Sequence, residues 1–312
     1  MNEKFKKAHE FFIGEGFLPH NNSSYEFLRK YSRCSLLQEK TGLMYVVWQN
    51  TYFGLYRIIN DCLCSVFFHE GRDIYWTIHR PKEDSAYPLQ SVIEALCELS
   101  RKAGIQFLQV KFIDEYLLAE YEAVNGYKKQ TAFFLDNSEY AYTTEHLTDL
   151  AGTVNYYKRK RIKKFLGKDD ICVRKITSGN VTLCLDVENE WCLTKTCSSC
   201  SSFFGCEKKA VKVMTEIYDE KIHEGLFLYI NEKLSGYLIC EKISEKLSFL
   251  YFGKSRIDGG LIYLIYVMYT EYIKDCGYMN ISEDMGHEGL RRFKKLLSPY
   301  ELWHKYVVTY YF

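Results

Sequence analysis

The stretch GLFLYINEKLSGYLICEKISEKLSFLYFG, residues 225–253, decides the fold. Three apolar runs, 225–232, 234–243 and 246–253, have strand length, and the dipeptides Asn231-Glu232 and Ser244-Glu245 suit tight turns between them. A strand is predicted before this meander at 170–176, followed by helices at 179–195 and 206–222. After it come a long helix from Asp258 to Cys276, a strand at 278–283, a helix at 287–297 and a last strand at 302–311. Gly277 stands where a helix C-cap belongs, and Pro299 stops the last helix. The order is β-α-α-β-β-β-α-β-α-β, an α/β arrangement.

The first half ends in the same way. A strand at 73–79, a helix at 88–104, a strand at 105–112, a helix at 114–126 and a strand at 128–136 repeat that order. The helix-ending glycines Gly104 and Gly277 lie 277 − 104 = 173 positions apart, and the same shift superposes Glu98 on Glu271, Glu115 on Glu288 and Leu117 on Leu290. The chain therefore reads as two copies of one unit, 1–145 and 146–312. At 312 residues, two domains are also the expectation from length.

Hydrophobic residues make up 47% and charged residues 26%, so there is ample material for packed cores and little for disorder. The 27 tyrosines suggest large half-polar surfaces such as a lined cleft. MNEKFKKAHEFF has no apolar core of a signal peptide, and the run LIYLIYVMY at 261–269 is too short to span a bilayer. A cytoplasmic protein without an integral membrane segment is expected, its 12 cysteines reduced. Cys192, Cys197 and Cys200 have C-x4-C-x2-C spacing, but Cys192 falls in a helical run and no histidine lies near, so no metal is expected.

Charge is balanced overall, 41 Lys+Arg against 40 Asp+Glu, yet two segments are strongly basic. In 158–164 six of seven residues are bases, including Lys158, Arg159 and Arg161. The helix at 287–297 carries Arg291, Arg292, Lys294 and Lys295, where its counterpart in the first copy carries Asp114, Glu115, Glu120 and Glu122. Arg291 and Lys295 are like charges at i, i+4, which an anion would relieve. Both segments are candidates for binding phosphate; a solvated helix face is the alternative.

The segments SEYAYTTEHLTDLAGTVNYYKRKRIKKF (138–165), ENEW (188–191), NISEDMGHEGLRRFKKLLSPYELWHKYVV (280–308) and NNSSYEFLRKYSRC (21–34) resemble a bacterial family related to the C-terminal domain of phosphatidylglycerol lysyltransferases. The basic block departs from the family pattern at Lys160, where an Asn follows the Arg. The resemblance implies two tandem acyl-CoA N-acyltransferase (GNAT)-like domains, each a mixed, mostly antiparallel sheet flanked by helices. It also implies transfer of an aminoacyl group from aminoacyl-tRNA to a small-molecule, peptide or lipid acceptor bearing an amine or hydroxyl.

Such a transfer needs a base for the acceptor and cations for the donor's phosphates and oxyanion. Glu283 and Asp284, at the end of a strand, are the candidate bases. Arg291, Lys294, Lys158, Arg159 and Arg161 are the candidate phosphate ligands. Gly259 and Gly260, in GKSRIDGGL (253–261), would lend backbone amides at a helix start. No tightly bound cofactor is expected. Acetyl-CoA or another acyl-CoA is the alternative donor, although the glycine spacing differs from an acetyl-CoA loop, and a binding protein without catalysis is the third reading.

Overall fold

The structure is a computed structural model and describes residues 3–69, 73–80, 88–194 and 206–312. It divides into two compact units, Met1–Leu135 with Trp303–Phe312, and Asp136–Leu302.

The first unit contains α1 (Glu3–Gly14), β1 (Leu18–Pro19), α2 (Tyr25–Arg29), α3 (Gly42–Val47), β2 (Tyr52–Ile59), β3 (Cys62–His69) and β4 (Asp73–His79). Then come α4 (Leu89–Lys102), β5 (Phe107–Asp114), α5 (Leu118–Ala123), β6 (Lys128–Phe133) and, from the far end of the sequence, β14 (Lys305–Tyr311). Its sheet runs β1-β2-β3-β4-β5-β14-β6. Strand alternation sends Ile74, Trp76 and Ile78 of β4 into the core with Val92, Ile93 and Leu96 of α4.

The second unit contains β7 (Glu139–Thr143), α6 (Thr144–Thr148), α7 (Tyr156–Ile162), β8 (Ile171–Lys175), α8 (Cys184–Thr194), α9 (Glu207–Ile217), β9 (His223–Ile230), β10 (Lys233–Ser244) and β11 (Leu247–Ser255). It continues with α10 (Gly260–Val267), a π-helical turn (Met268–Tyr272), β12 (Tyr278–Asn280), α11 (Glu288–Leu296) and β13 (Glu301–Trp303). The sheet order is β13-β7-β12-β11-β10-β9-β8. The meander of 225–253 forms β9, β10 and β11. Asn231 and Glu232 both take positive φ, as a two-residue turn with matching twist requires. Adjacent β11 residues address opposite faces: a Cβ on Gly253 would meet Leu261 of α10, whereas Lys254 reaches Glu188 of α8 and Glu207 of α9.

Both units are mixed, mostly antiparallel sheets flanked by helices, the tandem GNAT-like architecture. The unit boundaries differ from a division at 145/146. β7 pairs antiparallel with β12 and so belongs to the second sheet, and β14 lies between β5 and β6 of the first. Each sheet thus takes one inner strand from beyond its own half of the sequence. β2 and β3 precede the first strand read from sequence in that half, and their turn, Asn60-Asp61, also has positive φ at both residues. Among the described residues no helix is long and apolar enough to cross a membrane.

Candidate functional site

β11 and β12 run parallel for three residue pairs only, Leu247↔Tyr278 to Phe249↔Asn280. β12 then ends while β11 continues to Ser255, with a register shift against β10 between Leu250 and Phe252. The sheet therefore opens at the carboxyl end of β12. In the first unit the corresponding parallel pair, β4 and β5, is registered only at Trp76↔Val110.

The EDMGH turn follows β12 on one side of this opening. Asp284 is buried there. Its carboxylate accepts from Arg291 Nε (2.8 Å) and Nη2 (3.0 Å), from the Tyr140 hydroxyl (2.6 Å) and from the Gly286 N–H (2.9 Å). The Arg291 hydrogen bonds, helped by Tyr140 and Gly286, hold its carboxyl at about 2 in spite of burial. Arg291 Nη2 also donates to Asp136 (2.6 Å). Lys294 is buried, and its ammonium donates to the carbonyls of Ile281 (2.6 Å), Ser282 (2.8 Å) and Glu283. Ser282, Met285 and Gly286 all take positive φ, so this loop is tightly wound. The bases of α11 therefore build the acidic turn in front of them. The anion that relieves Arg291 is internal, which removes the argument from its like-charged spacing with Lys295.

The second basic segment lies elsewhere in the unit. α7 packs against the start of α10. Arg161 Nε (3.4 Å) and Lys164 Nζ (2.9 Å) both reach Asp258, whose carboxyl they draw below its ordinary value. A Cβ on Gly259, which has φ +87°, would come within 2.9 Å of Arg161 Cβ, so Gly259 serves both the left-handed turn and the close approach of α7. Gly260 is fixed by packing: a Cβ there would strike Ser255, and its N–H donates to Ile257 O (3.0 Å). Lys158 is buried, donating to His146 O, and burial pulls its ammonium down to about 8. Arg159 donates to the carbonyls of Leu150 and Gly152. Lys160, Lys163 and Lys164 stay exposed, leaving this corner with excess positive charge.

The structure thus brings Arg161 together with Gly259 and Gly260, and Asp284 together with Arg291. Glu283 is half-buried beside the latter pair. The Arg161 group is tied through Asp258, and the Asp284–Arg291 group through Asp136 and Tyr140. Cys192 lies in α8, whereas Cys197 and Cys200 fall outside the described residues. Among the described residues no group of three His, Cys, Asp or Glu is placed to hold a metal ion.

One cluster escaped the sequence reading. Glu188 is fully buried on α8, accepts from Tyr237 (2.6 Å) and pairs with Lys254 (3.4 Å). Lys254 also pairs with Glu207 and lies 5.7 Å from the Trp191 ring centroid. Burial pushes the Glu188 carboxyl up. Burial alone pulls the Lys254 ammonium down, but Glu207 and Glu188 outweigh it and the net shift is upward. The signal was present: Cys184, Val187 and Glu188, at i, i+3 and i+4, form the buried stripe of α8, so the carboxylate sits on an apolar face. A cleft of about 460 Å³ in the same unit has Val187, Tyr229 and the Glu190–Arg256 ion pair in its wall; Val187, Glu190 and Arg256 are chain neighbours of Glu188 and Lys254 rather than those residues themselves.

The chain resembles solved structures along nearly its whole length. A conserved protein of unknown function from Bacteroides thetaiotaomicron superposes with a TM-score of 0.80 at 22% identity, covering 93% of this chain and 97% of that one. The L-PGS of Bacillus licheniformis gives 0.63 at 13% identity, over 92% and 90%. FemX gives 0.60 at 8% identity, over 91% and 95%. These likenesses establish the shared fold. No curated protein matches the sequence. The family described as phosphatidylglycerol lysyltransferase, C-terminal, matches residues 40–309. With its two GNAT-like sheets and a match over most of its length, the chain belongs to the phosphatidylglycerol lysyltransferase C-terminal family.

Proposed function

We propose that this protein is an acyl-group transferase. It moves an aminoacyl group from aminoacyl-tRNA to an amine or hydroxyl acceptor in the opening between β11 and β12. Family membership and the GNAT-like fold support a transferase of acyl or aminoacyl groups. The observation that carries the location is the parallel pair that parts after three residues, which ends the hydrogen bonding between β11 and β12 there.

In this reading the corner of α7 and α10 meets the donor's phosphates through Arg161 and the exposed lysines, with Lys158 and Arg159 shaping the α7 support. Arg291, oriented by Asp284, presents its remaining N–H groups to the substrate. A carboxylate held at about 2 is a poor base, so proton removal from the acceptor falls to Glu283 rather than Asp284. Lys294 spends its donors on carbonyls and supports the loop instead of binding phosphate. RNA phosphates suit a corner of surface lysines. The commitment of the Gly260 N–H to Ile257 weighs against a CoA pyrophosphate there.

The test is a titration of wild type, Arg161→Ala and Arg291→Ala with aminoacyl-tRNA and with acetyl-CoA at two salt concentrations. Salt-sensitive tRNA binding, weakened by both substitutions, is expected. Binding of acetyl-CoA alone would replace the donor, and binding of neither would leave the fold without this chemistry.

A further inference from the structure

The two sheets can be compared position by position. Counting from the turns Asn60-Asp61 and Asn231-Glu232, and allowing for the β10 bulge between Leu234 and Gly236, Ser65 corresponds to Tyr237. Their cross-strand partners are Thr77 and Lys254. In the first unit the side chains at this place are uncharged, and the buried Lys40–Asp114 pair acts on Tyr45 and His79 from beside it. Ser65 contacts His20 (3.2 Å) and Thr77 contacts the Tyr45 hydroxyl (2.7 Å), while burial drives the His20 imidazole down to about 3. In the second unit the same place holds a buried carboxylate and a buried ammonium. The fold is therefore satisfied there by hydroxyls and a neutral ring. A buried ion pair in such a position is weak evidence for stability, since desolvation offsets most of its attraction.

Lys254 also lies on β11 beyond the last residue paired to β12, on the face covered by α8 and α9, two residues before Arg256, which lines the 460 Å³ cleft. Its ammonium is fixed from three sides, by Glu188, by Glu207 and by the Trp191 ring. Glu188 is in turn fixed by the Tyr237 hydroxyl.

We propose that Lys254 is the cation that stabilises the oxyanion of acyl transfer, with Glu188 and Tyr237 as its positioning residues; this rests on the transferase reading above. As a neutral acceptor nitrogen attacks the carbonyl carbon of the donor ester, the C=O electron pair moves onto oxygen. The Lys254 ammonium meets that charge without giving up its proton. The oxyanion collapses, the bond from carbon to the leaving oxygen breaks, and the proton shed by the nitrogen passes to the leaving oxygen. The substrate class is an ester whose acyl carbonyl reaches β11 through the opening.

The experiment uses a total pool of charged tRNA as donor and hydroxylamine as acceptor, following aminoacyl hydroxamate in a single turnover. Lys254→Ala should lower the rate by about 10²–10³-fold, the usual loss for an oxyanion donor. Added ethylammonium should restore it in a saturable manner, whereas tetramethylammonium, which has no N–H, should not. The double variant Lys254→Ala/Glu188→Gln leaves no lone buried charge. It should melt like the wild type, stay slow and still be rescued. A folded Lys254→Ala as fast as wild type, or slow without rescue, would overturn the proposal and leave Lys254 as a tie between α8 and the sheet. A wild type that forms no hydroxamate, from charged tRNA or from acetyl-CoA, removes the transferase reading and this inference with it.

Discussion

Removing the Lys294 ammonium takes a donor from three carbonyls at once; Ser282 O keeps the Tyr140 N–H, but each buried hydrogen bond lost is costly. Lys294→Ala should therefore destabilise the protein by about 2–4 kcal/mol in denaturant unfolding. Arg292→Ala, on the exposed side of α11 opposite Glu288, should change it by no more than about 0.5 kcal/mol. Composition makes these two bases look alike, but Lys294, four residues after Leu290 and three before Leu297, lies on the apolar face of α11 and Arg292 does not; what the sequence does not announce is the path of the 281–283 backbone that receives the ammonium. Asp284 carries a pH signature. Its folded pKa is depressed to about 2, so its contribution to stability is present above the ordinary carboxylate range and is lost as pH falls from about 4 towards 2. Asp284→Asn should flatten the stability curve across that window, and acid titration followed by circular dichroism measures it. Glu188 was legible, because a carboxylate on the buried stripe of a helix needs a partner. Its partner Lys254, on a strand far along the chain, was not.

At the scale of elements, the meander of 225–253 was readable because strand period and turn chemistry agree. The same grammar was present at Asn60-Asp61 and would have revealed β2 and β3. The junction of α7 with α10 is a different matter, since two helices nearly a hundred residues apart meet at a glycine. Gly259→Ala forces a side chain into a left-handed conformation and against Arg161. Strain of this kind costs on the order of 1–3 kcal/mol. Thermal melting of the variant should show that loss, and Gly289→Ala is the control. Gly289 lies within α11, and a Cβ there would meet nothing within 4 Å, so that change should be neutral to stabilising.

For the whole molecule, the repeat was legible as element order, but the exchange of inner strands was not. Which sheet a strand joins is fixed by register and by the other strands on offer, not by its own alternation. The placement of β14 between β5 and β6 makes the C-terminus essential to the first unit. A chain ending at residue 302 should lose hydrogen-exchange protection in β2 to β5 while β9 to β11 keep theirs. Equal protection in both would contradict the assignment of β14. The central claim, that acyl transfer takes place where β11 and β12 part, is tested most directly by hydrogen exchange with a stable donor analogue, an aminoacyl group joined through an amide to the 3′ end of a tRNA acceptor stem. Added protection is expected at 256–260, before α10, and at 281–287, before α11. Protection confined to the first unit, or none at saturation, would contradict it.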